Sequence, residues 1–290
     1  MSAVPRSQWT WTRPIPPRWA DAWLERTAFV GLDRLAIVEK PGLKLARLEA
    51  YPATEAVGRK LVKHFGGRLR KVAAAAWLKK AEPAAPIRFG KKLVVTGKKP
   101  AKGEDFGGAA VLVIPAGLAF GTGQHATTGM MLRELAGLKD WAGARVLDAG
   151  TGSGILALAA RALGAPEVEA FDYDAIALRT ARENEKRNFR RPAIDWQERD
   201  VLKWKSRARF TLITANLFSE LLVKRAAVLA QALRPGGLLL VSGVLATQTP
   251  AVRRALAAAG LAEEQWKRRG KWTMARYRRP LPAPRKRAAK

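Results

Sequence analysis

The spacing of apolar residues changes character along this chain, and the change divides it into two parts. In residues 1–75 apolar positions come in short, dissimilar bursts. WADAWLERTAFVGL places Trp19, Trp23, Leu24 and Thr27 at helical spacing, after a proline-rich RPIPPRW. LAIVEK and LKLARLEAY read as short strands about a Pro41-Gly42 turn. TEAVGRKLVKHFGG has the pattern of an amphipathic helix, with Thr54 as its cap and Gly66-Gly67 as its stop. RLRKVAA reads as a returning strand. Helices and strands alternating over so short a length predict a small α+β domain.

Residues 76–90 predict a short helix and a proline-broken connector. Residues 91–97 and 110–114 predict two strands, most simply a hairpin. From there on the rhythm is regular. ARVLDAG, VEAFDYD, AIDWQERD, FTLITANL and GLLLVSG are five strand candidates. ILALAARALG, AIALRTARENEKRN, SELLVKRAAVLAQAL and PAVRRALAAAG are the helices between them. WKRRGKWTMARYRRP adds a terminal, antiparallel strand. The expected class is therefore α/β: a Rossmann-like domain over residues 91–280, a small N-terminal α+β domain over 1–75, a linker over 76–90, and a disordered basic tail over 281–290.

Within the α/β part, VLDAGTGSG joins a strand to a helix through Gly150, Gly152 and Gly154. A strand, a glycine turn and a helix N-terminus together let backbone approach a nucleotide-like ligand. Asp172, twenty-two residues after Gly150 at the end of the next strand, suits a carboxylate that accepts both ribose hydroxyls. Asp174, two residues on, suits a helix cap instead. Asp200 closes the third strand, where an acid can accept from an adenine amine, although a surface turn favours an acid equally. Asn216 stands at the carboxyl end of the fourth strand, where open α/β sheets place their ligands. The spacing G-T-G-S-G departs from the G-x-G-x-x-G of dinucleotide-binding enzymes, and no Walker lysine pattern is present.

The run Asp148-x-Gly-x-Gly-x-Gly, the strand-four Asn216 and the antiparallel last strand resemble the seven-stranded class I methyltransferases that bind S-adenosylmethionine. Upstream, PAGLAFGTGQHATTG narrows the likeness. With DAGTGSGILALAA, FDYD and TANLFSELL, it resembles the ribosomal protein L11 methyltransferases, whose upstream segment reads P-G-x-A-F-G-T-G-x-H-x-T-T. Gly117, Ala119, Phe120, Gly121, Thr122, Gly123, His125, Thr127 and Thr128 all match that pattern. The resemblance covers residues 110–275. It implies S-adenosylmethionine as cofactor, contacted by Thr128, Gly150, Asp172 and Asn216, with Gly152 and Asp200 beside them on the reading above. It also implies a ribosomal-protein substrate, methylated on lysine side-chain or N-terminal amines, and an N-terminal substrate-recognition domain. That domain matches only loosely, through Trp77-Leu78 and the LVV after Phe89.

For such a transfer Asn216 can accept an N–H from the attacking amine. His125 can either relay the amine's proton or brace its loop. GTGQHATT has the composition of a lid, hinged at Gly121, Gly123 and Gly129. Alternatives are a methyltransferase acting on RNA or on another protein, and a basic binding protein without catalysis. ANLF lacks the Pro-Pro-aromatic tetrapeptide common in amino-methylating enzymes for adenine or glutamine.

Composition adds exclusions and one question. There is no cysteine, which removes disulfides, thiolate nucleophiles and Cys-based zinc sites. With His64 and His125 the only histidines, no metal is expected. No apolar run approaches the ~20 residues of a membrane span, and the N-terminus lacks the apolar core of a secretory signal, so a cytoplasmic monomer away from membranes is expected. The formal net charge is +29, from 53 Lys and Arg against 24 Asp and Glu. Such a field attracts polyanions and admits contact with ribosomal RNA, although the cations are spread along the chain.

Overall fold

A computed structural model describes residues 7–17, 20–30, 34–38, 45–73, 86–101, 103–115, 125–205 and 208–282. The Pro41-Gly42 turn, Trp77-Leu78, Gly121 and Gly123 of the expected lid, and tail residues 283–290 lie outside these. The chain forms two compact units, Met1–Glu82 and Pro83–Lys290. No helix among the described residues is long and apolar enough to cross a membrane.

The first unit runs β1 (Ser7–Ile15), α1 (Ala20–Thr27), β2 (Leu35–Val38), β3 (Ala46–Ala50), α2 (Glu55–Phe65) and β4 (Arg68–Ala73). Its sheet order is β2-β3-β1-β4, antiparallel throughout. This is the βαββαβ, ferredoxin-like arrangement. Trp11, Ile15, Leu48 and Leu61 form its core, and the Trp11 indole donates to the Gly66 carbonyl at 2.7 Å. Thr54 caps α2 by accepting from the Val57 N–H, and Gly66 ends it at a φ of 65°. β1 was not expected, because Pro14 sits in it and Pro16 and Pro17 follow. The register explains the tolerance. β4 pairs only Ser7 to Thr12, so Pro14 lies where β1 has lost that neighbour and faces β3 alone.

The second unit begins with a three-stranded sheet, β5 (Ile87–Phe89), β6 (Leu93–Thr96) and β7 (Ala110–Val113). Two expectations change here. Residues 87–89 form a strand rather than connector, because Phe89 is buried against the core. β6 and β7 pair in parallel, not as a hairpin. The thirteen residues between them are enough for the crossover a parallel pair needs.

The main sheet takes β8 (Arg145–Ala149), β9 (Glu167–Asp172), β10 (Asp195–Glu198), β11 (Phe210–Asn216), β12 (Leu233–Leu245), β13 (Ala262–Arg269) and β14 (Trp272–Arg278). Its order is β10-β9-β8-β11-β12-β14-β13, the expected seven strands, with β14 antiparallel to both neighbours. The single terminal strand read from WKRRGKWTMARYRRP is the end of β13, a turn at Gly270, and β14. Helices α3 (Ala126–Gly137) and α4 (Ile155–Ala162) pack into one apolar layer with β5–β7. α6 (Ser219–Ala232) and α7 (Thr249–Ala258) cover the opposite face. α5 (Ala175–Asn188) is capped by Asp174, whose carboxylate accepts from the Ile176 N–H at 2.8 Å. Burial on both faces explains why the central parallel strands β8 and β11 and the LLLV of β12 read as apolar runs, whereas the edge strands β10 and β13 are polar and largely exposed.

Replacing Trp11 with Ala removes a fully buried indole and its hydrogen bond to Gly66, and is expected to cost the first unit about 3–5 kcal/mol, measured by urea unfolding.

Candidate active site

The strand register assembles the centre. Ala149, Phe171 and Ala215 are direct partners across β8, β9 and β11. The next residue of each strand therefore forms a row: Asp172, Gly150, Asn216. That row lies at the carboxyl ends of parallel strands. It straddles the point where the chain order reverses, since β8 leads outward to β9 on one side and β11 leads to β12 on the other. Crevices at such switch points are where open α/β sheets hold ligands.

Asp172 is 8% exposed, and each of its oxygens already accepts one backbone N–H, from Gly152 at 2.8 Å and from Asp174 at 3.1 Å. A carboxylate has about four acceptor positions, so capacity remains. Burial raises its pKa, against hydrogen bonds from the Asp174, Gly152 and Tyr173 backbones.

Beneath the row sits Asp148, fully buried and given no role in the sequence reading. It accepts from the Thr151 hydroxyl at 2.6 Å, from the Thr214 hydroxyl at 2.7 Å, and from the Ala157 backbone. One carboxylate thus joins β8, the glycine turn, the first turn of α4 and β11. Burial raises its pKa to about 6. The glycines are required by geometry. Gly150 has φ of 71°, and a Cβ there would meet Leu217 at 2.4 Å; Gly154 has φ of 81°, with Trp196 and Ala181 in the way. In both places the space a Cβ would take is filled by protein.

α3 brings Thr127 and Thr128 to the row. The Asn216 Nδ2 lies 3.4 Å from each of their hydroxyls, and both threonines are buried. His125 precedes α3, with Nδ1 2.7 Å from the Thr127 Oγ1 and its ring edge on Trp272 at 5.1 Å. Burial, and secondarily the charge of Lys271, lowers its pKa to about 4. The imidazole is neutral at pH 7 and a weak base.

Asp200 lies next to the row, one residue past Arg199, whose N–H donates to the Asp172 carbonyl at 2.9 Å. It lies two residues beyond β10, and its Oδ1 accepts the Leu202 N–H at 2.8 Å, closing a turn. Asn216, Thr128, Gly150, Gly152 and Asp172 are brought together, with His125 joined to them through Thr127. Sequence reasoning placed Asp148 in the glycine motif but missed its role as a buried acceptor, whose signal was the threonine three residues on. It also missed Trp272, which lies 147 positions from His125 and carried no signal.

The model of the family described as Ribosomal protein L11 methyltransferase matches residues 46–280. A protein of that name from Chloroflexus aurantiacus is 40% identical over 193 residues, covering 59% of this chain and 58% of its own. The chain thus spans less than two thirds of that relative. Another of that name, from Symbiobacterium thermophilum, is 34% identical over 261 residues, covering 88% of this chain and 80% of its own. The crystal structure of a ribosomal protein L11 methylase from Lactobacillus delbrueckii subsp. bulgaricus superposes with a TM-score of 0.58 at 31% identity, covering 67% of this chain and 98% of that one.

Asp148 and His125 pull the pH dependence of stability in opposite directions. Asp148 rises from 3.8 to about 6, so the folded state keeps a proton the unfolded state has lost, and stability falls as pH rises across that interval. His125 drops from 6.5 to about 4, so the unfolded state takes a proton the folded state refuses, and stability falls as pH falls across that interval. Each amounts to roughly 3 kcal/mol. Relative to the unsubstituted protein, Asp148→Asn should make urea stability climb more steeply between pH 4 and 6, and His125→Gln should make it climb less. Changes of the same sign in both variants would contradict these environments.

Proposed function

Because this chain belongs to the ribosomal protein L11 methyltransferase family, we propose that it transfers methyl groups from S-adenosylmethionine to lysine side-chain or N-terminal amines of that ribosomal protein. The observation that carries the reading is the row Asp172, Gly150, Asn216 at the switch point of the sheet.

The residues fit the cofactor. Asp172, at the end of β9 and bonded to the glycine turn, retains acceptor capacity for ribose hydroxyls. The N-cap of α4 is Gly154, which has no side chain to cap the helix. Gly150, Gly152 and Thr128 line the same end of the sheet, and Asp200 has Oδ2 available for an adenine amine. When bound, S-adenosylmethionine supplies a methyl group already activated by a sulfonium. The chain's task is therefore orientation and dehydration.

The side-chain carbonyl of Asn216 accepts an N–H from the incoming amine and aims its lone pair. Its amide is in turn held by Thr127 and Thr128, which fixes which end of Asn216 faces the amine. Lysine has an ordinary pKa of ~10.4, and a site poor in water with Lys271 nearby favours the neutral amine. A base works best with a pKa near the operating pH, so His125, at about 4, acts by bracing Thr127 rather than by relaying a proton.

The first unit is the substrate-recognition domain in this reading, and the protein works as a cytoplasmic monomer. Contact with ribosomal RNA falls to the sheet face turned away from α1 and α2. There Arg68 and Arg70 stand exposed on β4, opposite Thr12 and Thr10 of β1. Trp11 faces the core instead, and the contact is with phosphate rather than base.

Labelled S-adenosylmethionine incubated with free and assembled ribosomal proteins should label one large-subunit protein, identified by mass spectrometry; label in RNA would overturn the substrate. Asp172→Ala should abolish S-adenosylmethionine binding in calorimetry with the circular dichroism spectrum retained, and unchanged affinity would remove the ribose assignment. Replacing Arg68 and Arg70 together with Ala should lower the salt dependence of RNA binding by about two phosphate contacts, and an unaltered slope would place the RNA elsewhere.

A further inference from the structure

α3 lies along β14 in a fixed register. His125, immediately before the helix, packs its ring on Trp272 at 5.1 Å. Glu134, two turns into it, accepts from Arg276 and from Lys267, each at 2.7 Å. His125 to Glu134 is nine residues, about 13.5 Å of helix at 1.5 Å each. Trp272 to Arg276 is four residues, about 13 Å of strand at 3.2–3.4 Å each. The two lengths agree, so helix and strand meet at both ends without slipping.

The parity of β14 supports the match. Trp272, Met274 and Arg276 alternate onto one face of the sheet, and Trp272 and Met274 belong to the apolar layer that contains α3. Lys267 is the cross-strand partner of Met274 and reaches the same face. On the helix, Thr127, Met131 and Glu134 follow one stripe at i, i+4 and i+7. Glu134 has a side chain only 6% exposed, whereas Lys267 and Arg276 are 44% and 31% exposed. The carboxylate is thus the buried member, and the cations come to it from the hairpin. Arg276 is itself held by Glu264 at 2.7 Å.

His125 makes no capping hydrogen bond to the α3 backbone; its local contact is with the Thr127 hydroxyl, and its ring is itself packed on Trp272 of β14. The brace on Thr127 is thus tied to β14, and Glu134 ties the rest of the helix to the same strand. We infer that Glu134, by locking α3 in register on β14, is a positioning residue for the Thr127–Thr128–Asn216 group. It acts through the helix and touches neither cofactor nor amine. This rests on the methyltransferase reading above for its consequence, but not for the register.

Two measurements separate them. Amide hydrogen exchange on the ligand-free protein reads the register alone. In Glu134→Gln, exchange at residues 129–131, the first α3 amides bonded within the helix, starting with Gly129 on the His125 carbonyl, should rise about tenfold while α4 is unaffected, and the affinity for S-adenosylmethionine in calorimetry should fall about tenfold, the order expected for a small displacement of aligned groups. Arg276→Lys, which keeps a cation on Glu134, should retain affinity within about threefold, a rescue that simple loss of packing would not give. If Glu134→Gln does not fold, Lys267→Met removes one leg of the clamp and should shift both readouts in the same direction by a smaller factor. Exchange and affinity both unchanged, or exchange raised equally in α3 and α4, overturns the inference. Failure of the unsubstituted protein to bind S-adenosylmethionine overturns the functional reading instead, and the exchange result still decides the register.

Discussion

The arrangement of the catalytic edge depends on one buried carboxylate. Asp148 has no solvent to satisfy it, and its hydrogen bonds must come from protein. They come from three elements that are far apart in sequence or differ in kind: the glycine turn, the N-terminal turn of α4, and β11. Thr214 is two residues before Asn216, and Thr151 follows Gly150. Two hydroxyls and one N–H on a single acid therefore set the height of the turn relative to β11. Without that constraint the row of Asp172, Gly150 and Asn216 would be three strand ends and not a site. The cost is a carboxyl held against burial with a pKa near 6, the kind of local strain on stability that functional centres tolerate.

The same logic extends outward to β14. The parallel strands supply the row, and the antiparallel β13–β14 hairpin supplies the surface on which α3 is laid. α3 then returns its first turn to Asn216. Two independent supports, one under the turn and one behind the helix, converge on the same amide. Under the proposed function, the terminal hairpin serves a reaction whose main demand is alignment. The hairpin is a buttress for α3 as much as an edge of the sheet.

Much of this was legible in the sequence because the relevant signals were local. Asp174 was readable as a cap by its position within FDYD, and it caps α5, while Asp172 is bonded to the glycine turn. Thr54 and Gly66 were readable as caps because capping is decided within four residues. What was illegible depended on register and on contacts between distant segments. β1 was hidden because its prolines argue against a central strand until the short reach of β4 is known. The parallel pairing of β6 and β7 cannot be told from a hairpin by composition. Trp272, Glu134 and Lys267 looked like parts of unremarkable surface or strand patterns, and only packing shows them gathered around one helix.

The net charge of +29 reads differently once the acids are located. Glu49, Glu134, Asp148, Asp172 and Glu185 are all buried to below a tenth of their surface, each accepting from backbone, hydroxyl, indole or cation. Carboxylates can do this because they accept several hydrogen bonds in a small volume, whereas lysine and arginine keep their charged ends toward water. With 24 acids in the chain and several committed to the interior, the exterior is left to the cations. The positive field follows from where the acids are placed as much as from how few there are. One of those cations also acts locally at the strand ends: Lys271 lowers the pKa of His125, and under the proposed function the same charge disfavours protonation of an amine brought to Asn216.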